Sequence, residues 1–257
     1  MLEVKHLFRS YRGIPAVEDV SFRIAPGEIV GFLGPNGAGK STTVKIITGM
    51  LRANEGKVFF EGRDIREDMV AFRSVLGYVP EEAQLYTYLS GLEYLQLVGR
   101  LRGLKEGLIE AKATGLLELL NLESWQHSPI SCYSKGMRQR VLIAAALMHD
   151  PKLLIFDEPL SGLDVLSARL FKDLMASLAS QGKAVLYISH VLETVEQVCN
   201  RVIVIACGKI VADAAPSELT ALMSLPNLES VFAQLVKQQD TWAAAQQIVE
   251  VMQITHG

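Results

Sequence analysis

The sequence predicts an α/β fold: a mixed sheet wound with helices, an antiparallel β subdomain at the N-terminus, an inserted helical subdomain and a helical extension at the C-terminus. Three observations carry this. Short, nearly continuous apolar runs recur at 28–33, 153–156, 184–188 and 202–205, as strands buried on both faces of a parallel sheet require. Between 82 and 148 such runs disappear and apolar residues follow the helical period. A glycine-rich segment joins the first buried run to a helical stretch, the strand–loop–helix order of a phosphate cradle.

From Leu2 to Ile24 apolar residues tend to alternate (Val20, Phe22, Ile24), which predicts half-buried antiparallel strands turning at Arg12-Gly13 and Pro26-Gly27. In the helical subdomain, about 82–148, the predicted apolar faces are Tyr94, Leu95, Val98 and Leu101, then Leu108, Ala111, Leu116, Leu119 and Leu120. The main domain is expected over 1–217. The extension, 218–257, should hold one amphipathic helix with Leu228, Val231, Phe232, Leu235 and Val236 on one face, packed on its own sheet in preference to a second copy, and a second helix containing Trp242 and Val249.

With 257 residues, 49% of them hydrophobic, the chain can bury a sizeable core. A formal net charge of −3 gives no general reason to bind nucleic acid, which needs clustered cations. Cys132, Cys199 and Cys207 lack C-x-x-C spacing, so neither a disulfide framework nor a zinc site is expected, and a reducing cytosol is the simplest home. No run approaches the roughly 18 apolar residues of a membrane span.

Gly34-Pro35-Asn36-Gly37-Ala38-Gly39-Lys40-Ser41-Thr42 matches G-x-x-x-x-G-K-[ST] and sits between a buried strand and a helix through Val44 and Ile47. This predicts a P-loop NTPase core. Glycines let several backbone N–H groups point at one anion, and the helix start adds its positive end. Lys40 is then placed to reach the β and γ phosphates of ATP, and the Ser41 hydroxyl to ligate Mg2+.

A second strand, Leu153 to Phe156, runs into Asp157 and Glu158. Carboxylates at a buried strand tip cost desolvation unless a cation or donors receive them, so Asp157 is a candidate Mg2+ ligand, direct or through water. Glu158 is the candidate general base beside the γ phosphate. Ser189-His190 ends a further strand on the same expected edge, where open α/β sheets place ligands, and His190 is a candidate γ-phosphate contact.

Taken together these residues resemble the ABC (ATP-binding cassette) ATPase family, from about Leu2 to about Ser217. The discriminating piece is Tyr133-Ser134-Lys135-Gly136-Met137 followed by Arg138-Gln139-Arg140, which is similar to the family signature L-S-G-G-Q. Ser134 is suited to cap a helix continuing through Val141 and Ala145, and Gly136 to leave room for phosphate at its positive end. The resemblance implies two subunits stacked head to tail, with the signature of one closing over ATP held by the loop of the other. It further implies that Ser161-Gly162-Leu163-Asp164 contacts the second subunit, that His190 is the switch histidine and that Tyr11 stacks on adenine.

Two departures stand out. Lys135 and Met137 replace the commoner Gly and Gln, a variation similar to that of single-domain exporter-type ATPases. Glu81, in Gly77-Tyr78-Val79-Pro80-Glu81, stands where the family usually has a Gln that senses Mg2+ and water; Gln84 lies close by. A carboxylate there can accept from water or face the metal, which makes Glu81 a candidate Mg2+ residue, but it adds negative charge near the γ phosphate that Mg2+ has to offset.

The resemblance implies an ATP hydrolase coupled to transport, with separate transmembrane permease subunits and a second ATPase subunit, expected as a homodimer. Such a subunit would sit in the cytoplasm on the inner face of the cell membrane through its partner, and the signature leans towards export. The segment through Leu85, Tyr86, Tyr88, Leu89 and Tyr94 is either core of the helical subdomain or the receiver of a short helix from the membrane subunit. A soluble ABC ATPase acting on nucleic acid or the ribosome is the alternative, disfavoured by the single cassette and the missing basic surplus. A phosphate-loop kinase or GTPase leaves 133–137 and His190 unexplained.

Overall fold

The computed structural model describes residues 1–82 and 84–236. The second helix expected around Trp242 and Val249 lies outside them. Strands β1 (Leu2–Tyr11) and β2 (Ile14–Ile24) form the expected hairpin, and β4 (Glu55–Phe60) and β5 (Arg63–Asp64) extend it into an antiparallel sheet of order β2-β1-β4-β5. Alternation works here as anticipated: Val20, Phe22 and Ile24 are buried while Asp19, Ser21 and Arg23 face water.

The second sheet has the order β10-β9-β3-β8-β7-β6. Its strands are β3 (Ile29–Leu33), β6 (Leu76–Val79), β7 (Leu153–Asp157), β8 (Ala184–Ile188), β9 (Arg201–Ala206) and β10 (Lys209–Ala214). All neighbours pair in parallel except β10 on β9, so the sheet is mixed. Every residue of β3, β7 and β8 is buried, which is why they read as unbroken apolar runs. Helix α1 (Lys40–Ile47) lies between this sheet and the hairpin, contributing Val44, Ile46 and Ile47 to one apolar cluster with Val4, Phe22 and Phe32. Helix α2 (Met69–Ser74) closes the same cluster with Phe72.

The inserted helical part comprises α3 (Gly91–Leu101), α4 (Glu106–Leu119) and α5 (Lys135–Leu147). Ser90 and Glu93 form a reciprocal capping box that starts α3. The buried face of α4 differs from the expected one: Ile109, Ala113 and Leu117 are buried at i, i+4, i+8, whereas Leu108, Ala111 and Leu119 are exposed. Ile109 decides this orientation, because its side chain fills the space opposite Gly99 on α3. Leu101, expected on the buried face of α3, is 77% exposed.

On the other face of the sheet lie α6 (Val165–Ser180), α7 (Leu192–Val198), α8 (Pro216–Met223) and α9 (Leu228–Val236). Leu228 and Val231 are buried in the same cluster as Val195, Val202 and Val204, so α9 packs on its own domain as expected. No helix among the described residues is long and apolar enough to cross a membrane.

Candidate nucleotide site

Strands β3, β8 and β7 are consecutive neighbours and parallel, with Phe32 opposite Ile188 and Ile188 opposite Asp157. Their C-terminal ends therefore release Gly34, Ser189-His190 and Asp157-Glu158 at one edge of the sheet. A cavity of about 780 Å3 opens there. The phosphate loop lines it from Gly34 to Gly37 and from Gly39 to Thr42.

Ala38 is the exception in that loop, since it does not line the cavity. Its side chain is buried in the apolar core and its N–H turns back to the Pro35 carbonyl at 3.2 Å. Gly39 immediately precedes α1 with φ +108°, and any side chain there would collide with the Ala16 carbonyl. The helix accordingly begins with no side-chain cap, leaving its first N–H groups to an outside acceptor. Lys40 Nζ folds over the loop, donating to the carbonyls of Gly34 at 2.6 Å and Pro35 at 3.0 Å.

The facing wall is acidic. Burial, reinforced by Glu81 and Glu158 and opposed by Lys40 and Lys45, pushes the Asp157 carboxyl up to about 6. Burial also lowers the Lys40 ammonium from its ordinary value, against the pull of Glu158, Asp157 and Glu81. Glu158 turns the chain sharply with φ +48°, a strained conformation for a residue bearing a side chain. Its carboxylate is held by His190 Nδ1 at 2.9 Å and by the Ser189 hydroxyl, which donates at 3.4 Å. His190 itself is largely exposed.

This arrangement fits a Mg-nucleotide. Among the described residues no group of His, Cys, Asp or Glu side chains holds a metal by itself. A Mg2+ ion characteristically takes one or two carboxylates and completes its shell with phosphate oxygens and water. Ser41, Asp157 and Glu81 line the cavity that would receive it, and burial of the Asp157 carboxyl beside Glu81 and Glu158 is a cost that a cation would offset. Glu81 is exposed and also lines a neighbouring cavity with Lys135, Arg138 and Ser161. Gln84, close by in sequence, lines neither cavity.

Ser134 and Gly136 do not line the phosphate cavity. Ser134 caps α5, its Oγ accepting from the Met137 N–H at 3.2 Å, as expected. The space that Gly136 leaves is filled within this chain, because a side chain there would collide with the Gly162 carbonyl. Lys135 strengthens that junction by donating to the Ser161 hydroxyl at 2.6 Å, and Asp164 caps α6 through the Ser167 N–H and hydroxyl. Tyr11 is likewise outside the cavity wall; it is half exposed, with the Arg9 guanidinium 5.1 Å over its ring. Residues that the sequence did not assign to the site complete the wall: Ala16, Leu192 and, from α9, Glu229, Phe232 and Ala233.

The family profile of the ABC transporter ATPases matches residues 17–161, more than half of the chain. The chain belongs to the ABC transporter family. It is 37% identical over 212 residues to an uncharacterized ABC transporter ATP-binding protein, YhcH, of Bacillus subtilis, covering 82% of this chain and 68% of the relative. It is 35% identical over 219 residues to the Nod factor export ATP-binding protein I of Cupriavidus metallidurans, covering 85% of this chain and 72% of the relative. A solved ATP-binding subunit of an ABC transporter superposes with a TM-score of 0.86 at 32% identity, over 91% of this chain and 99% of that one. A dimeric ATP-binding cassette bound to ADP and Pi after hydrolysis superposes with a TM-score of 0.78 at 25% identity, over 84% of this chain and 98% of that one. The chain is accordingly a transporter ATP-binding subunit and an ATP hydrolase.

Proposed function

We propose that two copies of this subunit hydrolyse Mg-ATP head to tail on the cytoplasmic face of the cell membrane, and that their closure drives export through separate transmembrane subunits. One observation carries the reading. The phosphate loop, Asp157, Glu158 and His190 surround one cavity, while Ser134 and Gly136 of the same chain lie outside it. A site of two such halves is complete only when a second chain supplies the missing one. The export direction is supported by the Lys135 and Met137 signature and by the relative named as an exporter.

In this reading Lys40 and the loop N–H groups bind the phosphates, and Ser41, Asp157 and Glu81 would hold Mg2+ directly or through water. Bound Mg2+ supplies charge neutralisation at the β and γ phosphates. Glu158, aimed by His190 and Ser189, accepts the proton of the attacking water. For the membrane partner, a groove between the sheet and the helical subdomain exposes Met50, Val70 and Leu101 to 60%, 82% and 77%, with Tyr94 and Val98 on its wall. Apolar side chains so exposed on one groove favour a docked helix there; within 85–94, Tyr86 and Tyr88 are exposed while Leu85 packs against the core.

Replacing Glu158 by Gln should preserve ATP binding, lower turnover about 10²- to 10⁴-fold and accumulate an ATP-bound dimer in size-exclusion chromatography. Normal turnover in that variant would sink the general-base assignment. Co-purification with a hydrophobic partner from detergent-solubilised membranes tests the membrane half. Recovery only as a soluble monomer on nucleic acid or ribosomes would overturn it.

A further inference from the structure

Helix α9 is a wall of the phosphate cavity. Glu229, Phe232 and Ala233 line it beside His190 and Leu192, yet they come from beyond every ATPase motif in the chain. The helix is fixed there. Leu228 and Val231 are fully buried, and Phe232 and Leu192 are half-buried in the same apolar cluster, so α9 and the start of α7 share one packing unit. Asn227 pins the first turn, its Oδ1 accepting from the N–H and the hydroxyl of Ser230. Of the three lining residues only Glu229 is ionisable, and it joins Glu81, Asp157 and Glu158 on a cavity that Lys40 also lines.

We propose that Glu229 sets nucleotide selectivity: its carboxylate, held on the cavity wall by α9, weakens retention of the terminal phosphate and so lowers affinity for ATP relative to ADP. The inference rests on the nucleotide-site reading and extends it to the C-terminal helix. Its physical basis is the charge difference between the two ligands. ATP carries one phosphate more than ADP, and a fixed negative charge on the wall acts on that difference. Across a partly hydrated cavity, removing one unit charge corresponds to about a two- to fivefold change in affinity. Exposure of Glu229 leaves the interaction open to screening, so it should fade as salt rises.

The test compares full-length variants in a Glu158→Gln background, with Mg-ATP and Mg-ADP as the probes in calorimetric titrations. Glu229→Gln should tighten ATP binding about two- to fivefold and ADP binding distinctly less. Glu229→Lys should go further in the same direction, and about 0.5 M salt should shrink both gains. Glu218→Gln, an exposed acid on α8 outside the cavity wall, should move neither ligand. An unchanged ATP-to-ADP ratio in both Glu229 variants, or an equal shift from Glu218→Gln, would overturn the proposal while leaving nucleotide binding intact. Failure of the reference chain to bind ATP at all would instead remove the site reading along with it.

Discussion

Two helices of this ABC subunit begin on glycine-bearing turns that look alike in sequence, and the structure uses them in opposite ways. At α1 the residue before the helix is Gly39 in a left-handed conformation, with no side chain to take the first N–H groups. At α5 it is Ser134 in an extended conformation, whose hydroxyl already accepts from Met137 N–H. The glycines differ in the same sense. Gly39 lets the backbone pass the Ala16 carbonyl and expose amides, whereas Gly136 lets α5 seat against Gly162 of the same chain. An uncapped helix start draws an anion; a capped one needs none. What Ser134 retains is its hydroxyl proton, which the proposed head-to-tail pair would offer to phosphate bound by the other subunit.

The largest effect expected from this contrast is at Lys40. Substitution by Ala removes a charge-assisted donor from the open helix start, where each such bond is worth about 1.5 to 3 kcal/mol. ATP affinity of the isolated chain should fall on the order of 100-fold or more in equilibrium titrations, for two such bonds. The same measurement on Ser134→Ala should show no loss. Equal losses would mean that both helix starts bind nucleotide in one chain.

Asp157 sharpens the electrostatic side of the comparison. Its pKa lies near 6 in the folded chain against an ordinary value of 3.8. The folded protein therefore keeps a proton that the unfolded chain has released, and stability falls as pH rises from about 4 to about 6, remaining low above that. Asp157→Asn should abolish this dependence and raise the stability of the nucleotide-free protein at pH 7 by up to about 3 kcal/mol, while costing Mg2+-dependent turnover. Thermal melts between pH 4.5 and 7.5 read it directly. A gain as large at the acid end would assign the effect to something other than that proton.

The nucleotide half of the site was legible in the sequence because its parts are local. A phosphate loop and a strand ending in two acids each announce themselves within about ten residues, and parallel pairing brings them together. The uncapped start of α1 and the capping by Ser134 could be read from residue type alone. Ala38 could not, because the loop's one inward-facing side chain depends on where the core lies. Strands β4, β6 and β10 escaped because they are short or interrupted by Gly56 and Gly77 or by alternating exposure at a sheet edge. The α4 face was misread because leucines occur around much of that helix, and only the fit of Ile109 to Gly99 selects among them. The α9 wall was the least accessible: Glu229 reaches the cavity through a packing arrangement that no local pattern encodes.

Gly136 offers the next test. Ala at this position drives a methyl into the Gly162 carbonyl, and backbone cannot swing aside as a side-chain end does. A loss of about 1 to 3 kcal/mol in chemical denaturation is expected, with ATP affinity of the isolated chain preserved. Unchanged stability would show that the junction of α5 with 161–164 gives easily, returning Gly136 to a purely phosphate-facing role.

The smallest effect is at Ser134, and two substitutions separate its two jobs. An N-cap Ser replaced by Ala costs about 1 kcal/mol of stability, whereas Gly at the same place costs only a few tenths. Neither residue carries a hydroxyl. If Ser134 matters only as the cap of α5, Ser134→Gly should recover turnover along with stability. If its hydroxyl meets the phosphate bound by another subunit, both variants should lose turnover to the same extent despite their different melting temperatures. We expect the second outcome, because the Met137 N–H needs only an acceptor from Ser134, and the donor half of the hydroxyl has no use within the capped turn.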